Sequence, residues 1–336
     1  MTRMRLSIGG KLGISAALGV LLACVILAVV LIVTRHAAEI EATAERQEQV
    51  HALGLAANVS LGEMIASTKD VRLAYSEAEI GRLGDTLKKE MAEAERVLKE
   101  AAAAALDPTD RMNFEKLATY VGEYGRTSLE IVAARQREIG DHASRDAAAR
   151  QWAETAKRAH DVLEAAYDST ATEGLLDEFD RAFQTVRSNS WKFIATHDEA
   201  LLATIDTVAG EGTAALKQLS DAVAGRPESA GAVASLGTIY TDYVERTRSA
   251  IRDVEAVRLL VEEKSLPMAA EANKLFDETL SRIRQRVAEA SASAAAATRD
   301  GAVIIFGTIG LLVLAQILSA LYAGLGIARP IARMTQ

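Results

Sequence analysis

The residues best placed to do chemistry in this chain are cations at the edges of apolar helical stripes. A carboxylate enclosed between helices needs a positive partner. Arginine offers a planar fork that can hold both oxygens, and lysine offers a point charge. Lys69 and Arg72 stand one turn apart and flank the stripe residues Thr68 and Val71. Counting helical rises from the nearest turns puts Arg126 and Lys274 at a similar height, giving four cations around one level. The same counting gathers a second group from Arg187, Trp191, Trp152, Lys157 and Arg246 or Arg248, in which the two tryptophans would wall a pocket. The competing reading is plainer. Arginine and lysine on bundle helices usually lie along the surface or pair with glutamates, and Trp152, Trp191, Tyr124 and Tyr243 serve equally well as core.

Other chemistries find little support. His36, His51, His142, His160 and His197 are scattered, and none has a second histidine or a paired acid at metal-ligand spacing. No nucleophile motif, phosphate-cradling glycine loop or paired carboxylate in a cleft is present, so neither an enzyme nor a cofactor is expected. The only cysteine, Cys24, lies within an apolar run, which excludes an intrachain disulfide framework.

The elements that must position these groups are helices. About half of the 336 residues are apolar, yet only 4% are aromatic and four are proline. Two uninterrupted apolar runs, Leu12 to Val33 and Ala302 to Ile327, are long enough to cross a hydrocarbon layer of roughly 30 Å. The first is too long for a secretory signal core and is expected to stay attached. Arg3, Arg5 and Lys11 precede it, and Arg329 and Arg333 follow the second run, which puts both termini on the cytoplasmic side. The segment from about 35 to 300 is then outside. Of the net charge of −8, these five flanking cations account for +5, so the remainder carries −13, which disfavours nucleic acid as a partner.

Between the runs, apolar residues recur at alternating threes and fours, as in Leu53, Ala57, Leu61, Met64, Thr68, Val71 and Tyr75. Breaks at Ser76 to Gly84, Leu106 to Asp110, Ser169 to Gly174, Thr196 to Glu199 and Ala224 to Ser229 divide the chain into six helices. These run over about 36–77, 82–105, 109–169, 174–196, 199–224 and 228–298. An internal repeat aligns Leu117 to Tyr124 with Leu236 to Tyr243 at an offset of 119. Two long helices and four short ones give an all-α fold of two stacked four-helix bundles sharing the long helices. The lower bundle takes about 36–133 and 266–298 and the upper about 134–265, with Pro267 near the junction, where a kink is least costly.

With the spans at 12–34 and 301–327, this arrangement resembles the helical bimodular sensor region of bacterial methyl-accepting chemotaxis receptors. Residues 328–336, in which Arg329, Pro330 and Ile331 follow the second span, resemble the opening of a HAMP linker. The resemblance implies a multi-pass inner-membrane receptor with a periplasmic sensor. It implies a small organic anion as ligand, a homodimer, and signal transmission through Arg329, Pro330 and Ile331 to cytoplasmic kinase-coupling machinery. The HAMP match stops after one turn, so the output domain is expected on a longer product. A histidine kinase or cyclase receptor, or a structural or protein-binding envelope protein, stays open as an alternative.

Overall fold

The computed structural model describes residues 8–166 and 170–323. Every regular element in it is a helix: α1 (Ile8–Leu73), α2 (Glu77–Ala104), α3 (Pro108–Ala166), α4 (Thr170–Thr196), α5 (Ala200–Val223), α6 (Pro227–Leu259) and α7 (Leu266–Ala323). A π-helical turn, Leu260–Ser265, joins α6 to α7 without a break, so the outgoing helix is continuous from Pro227 to Ala323.

The helices start and stop for local reasons. At the start of α2, Ser76 Oγ accepts the Glu79 N–H at 3.3 Å while Glu79 Oε2 accepts the Tyr75 N–H at 3.3 Å, a reciprocal cap that satisfies two otherwise orphaned donors. Asp107 Oδ1 caps α3 by accepting from Thr109 N–H at 2.7 Å, and Pro108 opens that helix where no N–H is needed. The α4–α5 hairpin turns on His197, whose φ of 53° is left-handed, and Asp198 Oδ1 then accepts the Ala200 N–H at 3.0 Å. Pro227 occupies the first turn of α6. Pro267 has no N–H and its ring would clash with the carbonyl four residues back. The chain relieves this just upstream by widening one turn, where the Leu266 N–H reaches the Val261 carbonyl.

The expected apolar stripe of α1 is buried, with Ala57, Leu61, Met64 and Val71 at 0% exposure. By compactness the described residues divide into two units, one within 8–55, 98–115 and 276–323 and one within 56–97 and 116–275. In the first, α1, α3 and α7 approach closely at Gly54, where a Cβ would stand 2.7 Å from Leu280 Cδ2 and 3.3 Å from Phe114 Cε1. In the second, Met64 of α1 and Met91 of α2 close on Gly125 of α3, and Thr68 Oγ1 donates to Ser128 Oγ at 2.9 Å. A separate four-helix core within that unit draws Trp152 and Leu163 from α3, Phe179 and Phe183 from α4, Ala209 and Leu219 from α5, and Tyr240 and Tyr243 from α6.

Two helices are long and apolar enough to cross a membrane by length and composition. Their apolar side chains face outward, among them Val20, Leu21, Leu27 and Ile32 on α1 and Val303, Phe306, Leu311 and Leu318 on α7. In a soluble protein such surfaces would be covered. Residues Arg3, Arg5, Lys11 and 328–336, with the HAMP-like Arg329, Pro330 and Ile331, lie outside the residues whose side chains are described.

Candidate anion site around Arg145

The cation that the helices enclose is Arg145 of α3, 1% exposed. It occupies the core face because Glu138, Arg145, Trp152 and Ala159 recur every seven residues along the buried stripe of α3. Its Nε, Nη1 and Nη2 find no hydrogen-bond partner among the described residues. The guanidinium instead lies over the ring of Trp191 on α4, 5.2 Å from the centroid, within cation–π reach. A planar cation on an aromatic face keeps its N–H groups pointing outward in the plane, free for an acceptor.

Further polar groups stand close by. Tyr243 of α6 is 1% exposed and packs on Phe183 at 4.8 Å between ring centroids. Burial pushes its hydroxyl's pKa up, opposed by a hydrogen bond with Ser190 and by the charges of Arg145 and Arg187. Ser190 of α4 is fully buried and its Oγ donates to the Arg187 carbonyl at 2.9 Å. One turn beyond Tyr243, Thr247 Oγ1 is buried with no partner among the described residues. His142 sits one turn before Arg145, edge-on to Trp191 at 4.4 Å between centroids, with Nδ1 3.5 Å from Asp146 Oδ2.

The electrostatics of this cluster are unbalanced. Burial pulls the pKa of Arg145 down, and Tyr243, Asp141, Asp146 and Glu138 only offset it in part, none of them through a hydrogen bond. Glu138 is itself ion-paired with Arg135. A guanidinium keeps its proton in a protein, so the result is an enclosed positive charge whose donors are unspent. Unpaired buried charge is costly, and an anion with two coplanar oxygens would offset that cost.

Of the upper group expected from the sequence, the structure brings Trp191 into contact with this arginine, while Arg187 is exposed and touches the cluster through its backbone carbonyl and its charge on Tyr243. Trp152 makes no ring contact with Trp191 among the described residues. It is core, stacked on Phe183 at 4.0 Å, with its Nε1–H donated to Asp180 Oδ1 at 2.7 Å. Lys157 is exposed, Arg246 is paired with Asp242 at 2.8 Å, and Arg248 with Asp206 at 3.0 Å. The lower group is not on inward edges: Lys69, Arg72, Arg126 and Lys274 are all exposed. Lys69, Arg72 and Arg126 each fall beside a buried residue, Lys274 does not, and the long stems let the heads reach water. Arg145 itself was missed, although counting threes and fours from Ile131 along α3 places it in the buried stripe.

Among the described residues no group of three or more histidine, cysteine or acidic side chains could hold a metal ion. No protein-family model matches the chain, and no curated protein matches it.

Proposed function

We propose that this chain is the sensing part of a bacterial inner-membrane receptor of the chemotaxis type. Its ligand is a small organic anion taken between α3, α4 and α6. The observation that carries the reading is Arg145: an enclosed cation with every guanidinium nitrogen unspent, resting on Trp191, while the partnerless Thr247 Oγ1 is buried one turn beyond Tyr243 on α6. A carboxylate fits this set because its two oxygens can take parallel N–H bonds from the guanidinium fork while a hydroxyl reaches one of them.

The same site supplies a mechanism. The guanidinium is wrapped by side chains, so an anion enters only if the helices repack, and binding then favours the repacked state over the closed one. Tyr243 and Thr247 lie on α6, which continues through the π turn into α7 and the second apolar segment. A displacement at α6 thereby passes along one helix towards the membrane, and in a homodimer with a HAMP linker it would reach a cytoplasmic output domain.

The test is a thermal-shift screen of the full chain in detergent against mono-, di- and tricarboxylates, repeated with Arg145→Met. The expected result is a rise in melting temperature for a narrow set of acids. Ligand at about a hundred times its Kd adds about 2.7 kcal/mol, and the effect disappears in the variant. The variant without ligand should be as stable as the parent or more so, because it replaces an unpaired buried charge with an apolar chain. No shift with any acid, or an equal shift in the variant, overturns the assignment of the site.

A further inference from the structure

The second apolar segment carries a polar side chain that its own helix does not satisfy. Gln316 of α7 is exposed, and its amide makes no hydrogen bond among the described residues. Thr308, two turns earlier, is different, because its hydroxyl donates to the Ile304 carbonyl of its own helix at 2.6 Å. A primary amide has two N–H donors and an acceptor on a longer stem, and the backbone ladder of one helix leaves nothing for them. Gln316 also stands within about two residues of the centre of the Ala302 to Ile327 run, where a bilayer is driest. Hydrocarbon offers an amide no partner, so this position is costly for a lone chain.

The first apolar segment does not supply the partner. A Cβ at Gly54 of α1 would stand 2.7 Å from Leu280 Cδ2, and one at Gly301 would stand 2.7 Å from Val33 Cγ1, so α1 and α7 run antiparallel in one register. Carried on, that register puts Gln316 level with the stretch Ala16 to Val20, which has no hydrogen-bonding side chain in the sequence. The covered stripe of α7 starts at Gly301 and continues through Ile305, Thr308, Leu312 and Ala315. A different stripe leads to the amide: Ala302, Phe306, Ile309, Val313 and Gln316 recur at alternating fours and threes, and all five are exposed.

We propose that this second stripe is where another copy of the chain docks, with the two Gln316 amides bonded to each other across a two-fold axis along the membrane normal. Two arguments name the occupant. A primary amide is self-complementary, since its N–H can donate to the carbonyl of an identical group while the reverse bond forms. The bilayer also orients every copy alike, so Gln316 of each reaches the same depth. The spacing of the stripe is that of a two-helix seam, in which a single enclosed amide fixes register and pairing. The proposal rests on the reading of α7 as a membrane span and places a homodimer contact within it.

The test is resonance energy transfer between full chains in phosphatidylcholine vesicles, read against increasing lipid dilution. Donor and acceptor are attached at Ser291→Cys, an exposed position of α7, in a Cys24→Ser background. Gln316→Leu, which keeps the bulk and removes the amide, should associate about 3- to 30-fold more weakly than the parent. Gln316→Asn, which keeps the amide, should stay closer to the parent than to the leucine variant. Ser15→Ala, which removes the nearest hydroxyl that α1 has to offer in the sequence, should associate like the parent. Transfer should rise linearly with the acceptor fraction, as for a pair. Equal association of the parent and Gln316→Leu, a curved dependence of the kind a larger assembly gives, or an equal loss in Ser15→Ala overturns the proposal. An alkaline carbonate wash separates two kinds of failure. A chain that washes off the vesicles removes the span itself, whereas one that stays and pairs without the amide leaves the span standing and removes only this contact. The melting curve of each variant shows that it is folded.

Discussion

At the residue scale the molecule is governed by polar groups placed where water cannot reach. Tyr240 is the clearest case outside the Arg145 cluster. Its ring packs on Phe179 at 4.9 Å, its hydroxyl donates to the Ala209 carbonyl at 3.1 Å, and its pKa is pushed up to about 12, chiefly by burial, with Arg248 opposing and Glu211 adding. An unfolded tyrosine loses its proton near pH 10. Because the folded value is higher, the folded state holds the proton more tightly, so this contribution to stability is complete below about pH 10. It is lost as pH rises towards about 12. Urea midpoints from about pH 8 to about pH 11.5 should therefore fall at the alkaline end, and Tyr240→Phe should flatten that fall while costing about 1 kcal/mol at neutral pH. Tyr243, shifted in the same direction, leaves a smaller residual slope in the variant.

At the element scale, two glycines in one helix give opposite expectations from the same substitution. Gly210 and Gly212 both lie within α5, where glycine costs about 0.5–1 kcal/mol against alanine. A Cβ at Gly210 would meet nothing within 4 Å. One at Gly212 would run into the Tyr240 hydroxyl and stand 2.6 Å from Tyr240 Cζ and 3.0 Å from Ala182 Cβ. Gly210→Ala should raise the urea midpoint by the propensity gain. Gly212→Ala should lower it by about 1–3 kcal/mol, because a rigid, hydrogen-bonded ring has to move. The π turn makes a second contrast. Leu260–Ser265 accommodates one more residue than an α-turn would, so deleting Glu263, which is exposed there, should leave the downstream face of α7 in register. Deleting Ala270 inside α7 would swing Ala272 and Phe276 about 100° off the core. Circular-dichroism melts should show the second deletion strongly destabilised and the first less so, its cost being the Pro267 ring brought back against the carbonyl four residues before it.

At the scale of the whole molecule, the outward-facing apolar stretches of α1 and α7 set the environment the chain requires. Cys24 is the only thiol and is exposed on the protein surface, so in a soluble chain it would react freely. A membrane changes that outcome. In sealed vesicles a charged, membrane-impermeant maleimide should fail to label Cys24, and labelling should appear once the vesicles are dissolved in denaturing detergent. Rapid labelling in intact vesicles would remove α1 from the bilayer, and with it the receptor reading.

Much of this architecture is written locally. The threes and fours of α1, the caps at Ser76 and Asp107, and the prolines at 108 and 227 each act within a few residues, so the ends that face the turns were legible from the chain to within about five residues, the largest miss being the start of α2 at Glu77. The two apolar runs are equally local, because length and composition decide whether a helix can cross a bilayer. What needed the tertiary structure was the choice of face for residues at the margin of a stripe. Lys69 and Arg126 adjoin buried positions yet turn to solvent, whereas Arg145 falls on the seam itself and is enclosed. A rotation of about 100° per residue separates these cases, and the packing of neighbouring helices sets it. Pairings across long separations were likewise invisible in the chain: Arg286 joins Asp107 and Asp110, Trp191 underlies Arg145, and the π turn absorbs the strain of Pro267. Sequence by itself determined the helices and the apolar segments, which are set by local propensity and hydropathy. Only the fold decided which charges are buried and which partners they have, because burial is a property of what the other helices cover.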